Sequence, residues 1–339
     1  MADGFRIALL SASAAFASAA LTWAWIAIAR RRQIHDQPGP RRLHAVPTPR
    51  GGGIAIALVF LAGLGWLSSR SPPAPGAGAL LLGVGAFAAL GFVDDIFPLP
   101  TLLKFVLQWL AAAALVLGIA GGWALGWAWL VVLVVACCYV VNIWNFMDGS
   151  NGLITVQALL VALAIAFWPG QSGLLRSASL LLAAACAGFL PFNLPVARVF
   201  LGDVGSHALG AAVFGLLLLA WKQGSIGLLQ SILIMSALLI DSGLTLARRL
   251  LTGRRVWRAH RDHLFQYAVR RGHSHAGVCL AYAAATSLAI ALAATAGAAS
   301  SRLVLPVALI LTGLLGTAIY FRLRQQWLDP ATHRGLRNE

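Results

Sequence analysis

Eleven apolar runs, each close to the length that crosses a bilayer, dominate this chain of 339 residues. A transmembrane helix needs roughly 17–25 apolar residues. A chain in lipid must also satisfy its backbone hydrogen bonds internally, as a helix does. We therefore predict an all-α fold, a polytopic integral membrane helical bundle of about 11 transmembrane helices. The runs cover residues 5–29, 52–69, 78–93, 103–121, 125–141, 152–168, 173–192, 205–221, 225–247, 277–297 and 303–322.

Composition supports one membrane-embedded domain over residues 1–339. The chain is 60% hydrophobic and 10% charged, whereas soluble domains carry about 25% charged residues. No polar stretch is long enough to fold alone. The first apolar run is followed by Arg30–Arg32, which indicates a transmembrane helix with its basic end inside and not a signal peptide. The four cysteines lie in apolar runs without ligand spacing, which favours ordinary packing.

The distribution of basic residues predicts the orientation. With the N-terminus outside, the loops 30–51, 94–102, 142–151, 193–204 and 248–276 and the tail 323–339 face the cytoplasm. Cytoplasmic loops of membrane proteins are enriched in Lys and Arg. We therefore predict a cytoplasmic C-terminus, and we interpret the net charge of +15 as loop charge and not as nucleic-acid binding. Of 25 basic residues, the outer side then keeps only Arg6, Arg70, Arg176, Lys222 and Arg302.

Acidic residues are rare, and half of them stand in short polar motifs between apolar runs. The chain has ten Asp and Glu residues. A carboxylate at a membrane boundary is costly unless it is paired or binds a cation, so such residues indicate function. The predicted topology puts these motifs on one face, which indicates a converging site. The five are Asp94, Asp95, Asp148, Asp203 and Asp241.

The pair Asp94-Asp95 ends an apolar run. Adjacent carboxylates repel unless a cation or a proton lies between them. A hard divalent ion with oxygen ligands, such as Mg²⁺, fits this pair. A solvated helix end is the alternative.

The segment 142–152 spaces Asn142, Asn145 and Asp148 three residues apart, which places them on one helical face. Such a face beside Gly149 and Gly152 suits phosphate or nucleotide binding. An ordinary polar turn is the alternative.

The segment Phe200-Leu201-Gly202-Asp203-Val204-Gly205-Ser206 precedes another apolar run. The free N–H groups of a helix start bind anions, and Asp203 would supply an oxygen to a metal. A helix-capping role for Asp203 is the alternative.

Two basic segments complete the polar face. Residues 248–276 contain many arginines, which bind diphosphates by paired contacts, and include Arg261 and His263. Anchoring to the cytoplasmic face is the alternative, and a zinc site lacks the usual accompanying ligands. Residues 36–53 contain His44, Arg50 and three consecutive glycines, and they suit either an anionic ligand or the membrane surface.

In this order, the motifs resemble those of the polytopic polyprenyl-phosphate N-acetylhexosamine-1-phosphate transferases, glycosyltransferase family 4. The resemblance runs from the Pro-Thr-Pro-Arg-Gly-Gly segment at 47–52 through the histidine loop. It implies an Mg²⁺-dependent phosphoglycosyl transferase, with Mn²⁺ as a substitute metal. Such an enzyme transfers a sugar 1-phosphate from a UDP-sugar to undecaprenyl or another polyprenyl phosphate and releases UMP.

The resemblance also implies roles for individual residues. The Asp-Asp pair is associated with metal binding or activation of the lipid phosphate, and Asp203 with metal binding. The implied catalytic residues are Asp94, Asp95, Asp203 and His263. The implied metal ligands are Asp203, Asp94, Asp95 and Asp148. The implied substrate-binding residues are Lys104, Asn142, Asn145, Asp148, Phe200, Arg261, Arg50 and His44.

Departures from the family pattern narrow the expected donor. Phe265 and Gln266 stand where the family often has two more histidines, and Ser150-Asn151 replaces a frequent hydrophobic-Asp pair. These differences resemble the branch that uses N-acetylated deoxyhexosamines, such as N-acetylfucosamine or N-acetylquinovosamine, to prime lipopolysaccharide O-antigen or capsule, and they argue against the muramoyl-pentapeptide enzyme. The expected sugar is an N-acetylated hexosamine or deoxyhexosamine. Transfer of GlcNAc 1-phosphate or of phospho-MurNAc-pentapeptide is the alternative within the reaction. A cation-coupled transporter is the alternative class, and a structural membrane subunit leaves the clustered Asp and Asn residues unexplained.

The expected location is the bacterial inner membrane, with the active site facing the cytoplasm. The expected partners are the UDP-sugar, the polyprenyl phosphate and membrane lipids, without nucleic acid. The sequence leaves open whether the chain forms a homodimer.

Overall fold

A computed structural model describes residues 2–37, 46–70, 76–254 and 260–328. The chain forms thirteen helices over this part, together with two short antiparallel strands, β1 (His35–Asp36) and β2 (Thr48–Pro49). The helices are α1 Ala2–Arg31, α2 Ile54–Arg70, α3 Ala77–Ile96, α4 Thr101–Ala120, α5 Trp127–Met147, α6 Leu153–Ala166, α7 Gly173–Asn193, α8 Gly202–Lys222, α9 Leu228–Ile234, α10 Ser236–Leu251, α11 Leu264–Arg270, α12 His275–Gly297 and α13 Val304–Leu328.

The helical membrane fold is confirmed, and each predicted apolar run contains at least one helix. Within the described ranges, eight helices are long and apolar enough to cross a membrane, or nine if the bent pair α9–α10 is one span. The remaining two runs form shorter apolar helices, α2 with 17 residues and α6 with 14. The count of about 11 spans therefore stays a prediction, because α2 and α6 are apolar helices at or below the usual spanning length.

The run at 225–247 departs most from its prediction as one helix. It forms α9 and α10, whose axes differ by 77°. Neither Pro nor Gly stands at the break, where Met235 separates the two helices. Beyond the break, the polar side chains that α10 buries against the rest of the protein include Asp241, Ser242 and Thr245. Burial of this polar stripe is a feature that hydropathy alone does not predict.

Helix α8 is the centre of the bundle. Every residue from Val204 to Ala220 is buried, and α3 and α5 are among the helices packed against it. Small residues allow membrane helices to approach closely. A Cβ on Gly53 would lie 2.2 Å from the Cα of Gly205, and one on Gly91 would lie 2.2 Å from the carbonyl oxygen of Asp203. These glycines bring α2 and α3 against the start of α8, where the polar motifs lie.

Candidate active site

Asp94 sits at the end of α3, beside the first turns of α4. Its Oδ2 lies 2.6 Å from Nζ of Lys104, and its Oδ1 accepts a hydrogen bond from the backbone N–H of Leu99 at 2.8 Å. The carboxyl groups of Asp94 and Asp203 also lie near enough to each other to interact electrostatically. The structure therefore brings two predicted carboxylates and the predicted lysine together.

Asp95, the next residue, has a different environment. Its Oδ1 accepts from the backbone N–H of Asp203 at 3.1 Å, and its Oδ2 accepts from that of Val204 at 3.0 Å. A guanidinium nitrogen of Arg50 lies 2.9 Å from the same Oδ1. Helix starts carry unpaired N–H groups and a partial positive charge. Two N–H groups at this helix start therefore bond to a protein carboxylate, and both oxygens of Asp95 have protein partners. Binding of an anionic ligand at this helix start stays a prediction.

Asp203 is linked to α5 through Asn145. The side-chain amide of Asn145 donates to Oδ1 of Asp203 at 3.0 Å and to the hydroxyl of Ser206 at 3.1 Å. Asn145 and Asp203 are 58 residues apart in the sequence. The predicted convergence of the segments 142–152 and 200–206 is thus present as a direct contact.

A second polar chain lies deeper in the bundle. The amide of Asn142 donates to Oε1 of Gln108 at 3.1 Å, and Nε2 of Gln108 is 3.2 Å from Nε2 of His207. Gln108 and His207 are buried, at 6% and 2% exposure. Sequence analysis did not select either residue, although a polar residue inside a membrane helix is a signal that could have found them. Asn142 therefore faces α4, whereas Asn145 faces α8.

Asp148 follows the last turn of α5 and is half-buried. Burial of its carboxyl group raises its pKa well above the usual value, and the negative charges of Asp203, Asp95 and Asp36 raise it further. Asp148 therefore lies in the same negative field as the other predicted metal ligands.

The segment before α2 pairs with the segment before α8. The backbone N–H of Phe200 donates to the carbonyl of Pro49 at 2.8 Å, and the N–H groups of Gly52 and Gly53 donate to the carbonyls of Phe200 and Leu201. Two N–H groups of the predicted glycine-rich anion site therefore bond to protein oxygens. Phe200 is half-buried at this junction, and His44 lies outside the described residues.

The histidine loop forms a second cluster. The ring of His263 is buried, at 1% exposure, and stacks against His260 with the centroids 5.0 Å apart. The ring of Phe146, which stands between Asn145 and Asp148 in the sequence, is 6.5 Å away. His263 thus packs near the end of α5.

Several arginines of this loop and of the end of α10 surround one carboxylate of the protein itself, that of Asp262. Asp262, next to His263 in the sequence, is bonded to Arg249, with Arg248 at 3.7 Å and Arg254 at 3.9 Å. Burial raises the pKa of Asp262, but the hydrogen bond and charge of Arg249 outweigh it and the pKa is lowered. The carboxylate nearest to the ring of His263 is Asp241, whose Oδ1 lies 3.6 Å from Nδ1.

Arg261 is half-buried, and its carbonyl accepts from Arg270 at 3.4 Å.

The loop after α5 is held against α12, since the hydroxyl of Ser150 is 2.9 Å from Nδ1 of His275.

The two clusters therefore flank the end of α5. Across the described ranges, no three His, Cys, Asp or Glu side chains are gathered closely enough to hold a metal ion as they stand. The donor atoms of Asp94 and Asp203 nevertheless have the chemistry that a hard divalent cation prefers.

Comparison with known proteins gives consistent matches. The family model for glycosyl transferase family 4 matches residues 77–221. The chain is 30% identical over 320 residues to a decaprenyl-phosphate N-acetylglucosaminephosphotransferase of Mycobacterium leprae, covering 81% of this chain and 80% of that protein. It is 28% identical to a probable undecaprenyl-phosphate N-acetylglucosaminyl 1-phosphate transferase of Bacillus subtilis, over 71% of each chain.

A third relative represents another branch. The phospho-N-acetylmuramoyl-pentapeptide-transferase of Moorella thermoacetica is 32% identical over 249 residues, which cover 65% of this chain and 76% of that protein.

Proposed function

The chain belongs to glycosyl transferase family 4, and we propose that it transfers a sugar 1-phosphate from a UDP-sugar to a polyprenyl phosphate. Its relatives are phosphosugar transferases that act on decaprenyl phosphate, undecaprenyl phosphate or a phospho-N-acetylmuramoyl pentapeptide by name. Family membership favours an enzyme over the cation-coupled transporter.

One observation carries the proposal: Asp94, Lys104, Asn145 and Asp203 converge at one end of a membrane bundle, although they come from four helices. Phosphoryl transfer needs positioned charge more than covalent chemistry from the protein. A site at helix ends lets a lipid phosphate approach from the bilayer and a nucleotide approach from water.

The reaction balances without an external oxidant or reductant. An oxygen of the polyprenyl phosphate attacks the phosphorus that carries the sugar. The bond from this phosphorus to the bridging oxygen breaks, and UMP leaves with that oxygen. The lipid product carries the sugar through a diphosphate.

The protein's own residues bind and orient these groups. The ammonium of Lys104 lies against one oxygen of Asp94 and supplies positive charge for a phosphate at the end of α3. Asn145 orients the carboxylate of Asp203 through a hydrogen bond. Asp95, with both oxygens bonded, positions the start of α8 and thereby Asp203. His263 and Arg261 contact the donor.

The carboxyl groups of Asp94 and Asp203 fit a divalent cation, and Asp148 adds to the negative field. Carboxylates this close repel unless a proton or a cation lies between them. Mg²⁺ binds oxygen ligands and shares phosphate oxygens with substrates. When bound, it would neutralise charge on the diphosphate, with Mn²⁺ as a substitute.

An N-acetylhexosamine is the proposed sugar, and the relatives' names make UDP-GlcNAc the first donor to test. An N-acetylated deoxyhexosamine is a second candidate, because Phe265 and Gln266 stand where the family often has histidines. The proposed location is a bacterial cytoplasmic membrane, with the site on the cytoplasmic face and the product priming a cell-surface polysaccharide.

Purified protein incubated with polyprenyl phosphate, Mg²⁺ and single UDP-sugars tests the proposal. The panel includes UDP-GlcNAc, two UDP-N-acetyl-deoxyhexosamines and UDP-MurNAc-pentapeptide, and UMP release is measured. Release that requires both the lipid and one of these donors supports the function. Absence of release with every donor contradicts it.

A further inference from the structure

Asp241 is a buried carboxylate that the proposed reaction does not use. It lies on α10, with 3% of its surface exposed. Its Oδ1 accepts from the backbone N–H of Leu264 at 2.9 Å, and its Oδ2 accepts from the hydroxyl of Tyr282 at 2.5 Å. The hydroxyl of Thr245 lies 3.3 Å from Oδ1. A buried carboxylate needs such partners, because an unpaired one is strongly disfavoured.

These contacts connect three further elements to the histidine loop. Leu264 begins α11, and Tyr282 lies on α12. Thr245 is also 2.9 Å from the hydroxyl of Tyr320 on α13. Asp241 therefore joins α10, α12 and, through Thr245, α13 to the residue that follows His263.

The imidazole of His263 faces this carboxylate. Nδ1 lies 3.6 Å from Oδ1 of Asp241, which is beyond a normal hydrogen bond. Among the described residues, neither ring nitrogen has a hydrogen-bond partner. The ring is also enclosed by His260 at 5.0 Å and Phe265 at 6.0 Å between centroids. A small movement of the loop would close the contact to Nδ1, and the same movement would have to expose Nε2, which is buried here, for it to reach a ligand.

Asp262, the carboxylate next to His263 in the described part of the loop, is not placed for this role. Asp262 is bonded to Arg249 and is surrounded by Arg248 and Arg254. The group bonded to one nitrogen of a histidine determines which nitrogen carries the proton. We infer that Asp241 is a positioning residue for His263: its carboxylate orients the ring through Nδ1, so that Nε2 is directed to the phosphate or sugar of the donor.

This inference rests on the proposed function and extends it to residues beyond the matched range 77–221. It gives α12 and α13 a role in the site, because Tyr282 bonds to Asp241 and Tyr320 bonds to Thr245. Asp241 in turn accepts from the backbone N–H of Leu264 in the histidine loop. Asp241 and Tyr282 also line a largely apolar cavity of about 1030 Å³ between α10, α12 and α13. Apolar surroundings make the remaining partners of the carboxylate more important.

A purely structural carboxylate is the competing explanation, and Asp241→Asn separates the two. An asparagine keeps an oxygen for the N–H of Leu264, and its amide can donate to the hydroxyl of Tyr282. It has no negative charge to offer Nδ1. Ser242→Ala is the matched control, because Ser242 is a buried polar neighbour that donates to the carbonyl of Leu238 in its own helix.

The experiment is a double-mutant cycle on UMP release with the full-length protein. It compares wild type, Asp241→Asn, His263→Ala and the double variant, with kcat and KM for the UDP-sugar and thermal denaturation measured for each. We expect Asp241→Asn to lower kcat/KM at least about tenfold at an unchanged denaturation temperature. We expect the double variant to lose no more than His263→Ala alone, and Ser242→Ala to stay within about twofold of wild type.

Multiplied losses in the double variant, or near wild-type kinetics of Asp241→Asn, would overturn the inference. If Asp241→Asn does not fold, the same cycle is run with Tyr282→Phe, whose loss is expected only when His263 is present. Absence of UMP release by wild type would instead contradict the proposed function, so the two failures are distinguishable.

Discussion

The carboxylate of Asp95 lies 3.0 Å from the backbone nitrogen of Val204, and this contact ties the end of α3 to the start of α8. The adjacent Asp94 contacts Lys104 and approaches Asp203 instead. The two neighbouring carboxylates therefore have different environments. Asp95 accepts from two backbone N–H groups at the start of α8 and pairs with Arg50, whereas Asp94 accepts from one, that of Leu99, and pairs with Lys104.

This difference predicts opposite outcomes for two neighbouring substitutions. Asp95→Asn removes an acceptor from buried N–H groups, a loss of about 1–3 kcal/mol, and is expected to lower the thermal denaturation temperature. Asp94→Asn is expected to keep that temperature and lower kcat at least about a hundredfold. Scanning fluorimetry and UMP release on both variants check this. Equal destabilisation by both substitutions would contradict the division of tasks.

His263 is expected to contact the donor. His263→Ala should lower kcat/KM for the UDP-sugar at least roughly tenfold, about 1.4 kcal/mol of transition-state stabilisation. Arg254→Ala is the control in the same loop, since the side chain of Arg254 is 57% exposed, and it should do far less. Equal small effects from both would indicate that the loop only anchors the protein to the membrane.

Protonation of His260 is expected to lower the thermal denaturation temperature of the protein in mild acid. Burial lowers its pKa from 6.5 to about 4, and the charges of His263 and Arg249 contribute. A depressed folded-state pKa stabilises the fold above the unfolded value and loses that effect as the pH falls towards the folded value. The denaturation temperature should therefore decline between about pH 6.5 and pH 4. In His260→Gln this decline should be shallower, and an unchanged slope would exclude His260 as its cause.

The orientation of the bundle is open to a direct test. Reporter fusions after residues 100, 148 and 203 should give cytoplasmic signals, and fusions after residues 122 and 171 should give signals from the opposite side. If the fusions after residues 100, 148 and 203 reported different sides of the membrane, a single site would be contradicted. The structure places Asp94, Asn145 and Asp203, which lie at or near these fusion points, close together.

Much of the fold could be predicted because apolar length and helix formation are local properties. Each run yielded at least one helix, and the motif residues Asn145 and Asp203 were expected to converge. The break at Met235 was not predicted, because neither Pro nor Gly stands there to signal it. The burial of Asp241, Ser242 and Thr245 beyond the break depends on tertiary packing, which hydropathy does not show.

In the site too, local properties could be predicted from the sequence and long-range contacts could not. The residue types indicated metal and phosphate chemistry, but partners depend on the packing of distant segments. The sequence placed Asp262 beside His263, whereas the ring faces Asp241. The sequence does not distinguish Asp95 from Asp94, because the difference lies in a distant segment: the backbone N–H groups of Asp203 and Val204, at the start of α8, donate to the oxygens of Asp95. Gln108 and His207 are single polar residues within apolar runs, and neither was identified from the spacing of the polar motifs.

Transfer of labelled phosphate tests whether the protein moves a sugar 1-phosphate to a polyprenyl phosphate with Asp203 as a required residue. UDP-GlcNAc, or whichever donor supports UMP release, is labelled with ³²P on the phosphate next to the sugar and incubated with polyprenyl phosphate and Mg²⁺. We expect the label to move to the lipid fraction with wild type, and we expect Asp203→Asn to lower this transfer at least about a hundredfold, so that the label stays in water. Label that remains water-soluble in wild type, or an Asp203→Asn variant as active as wild type at limiting Mg²⁺, would contradict this expectation.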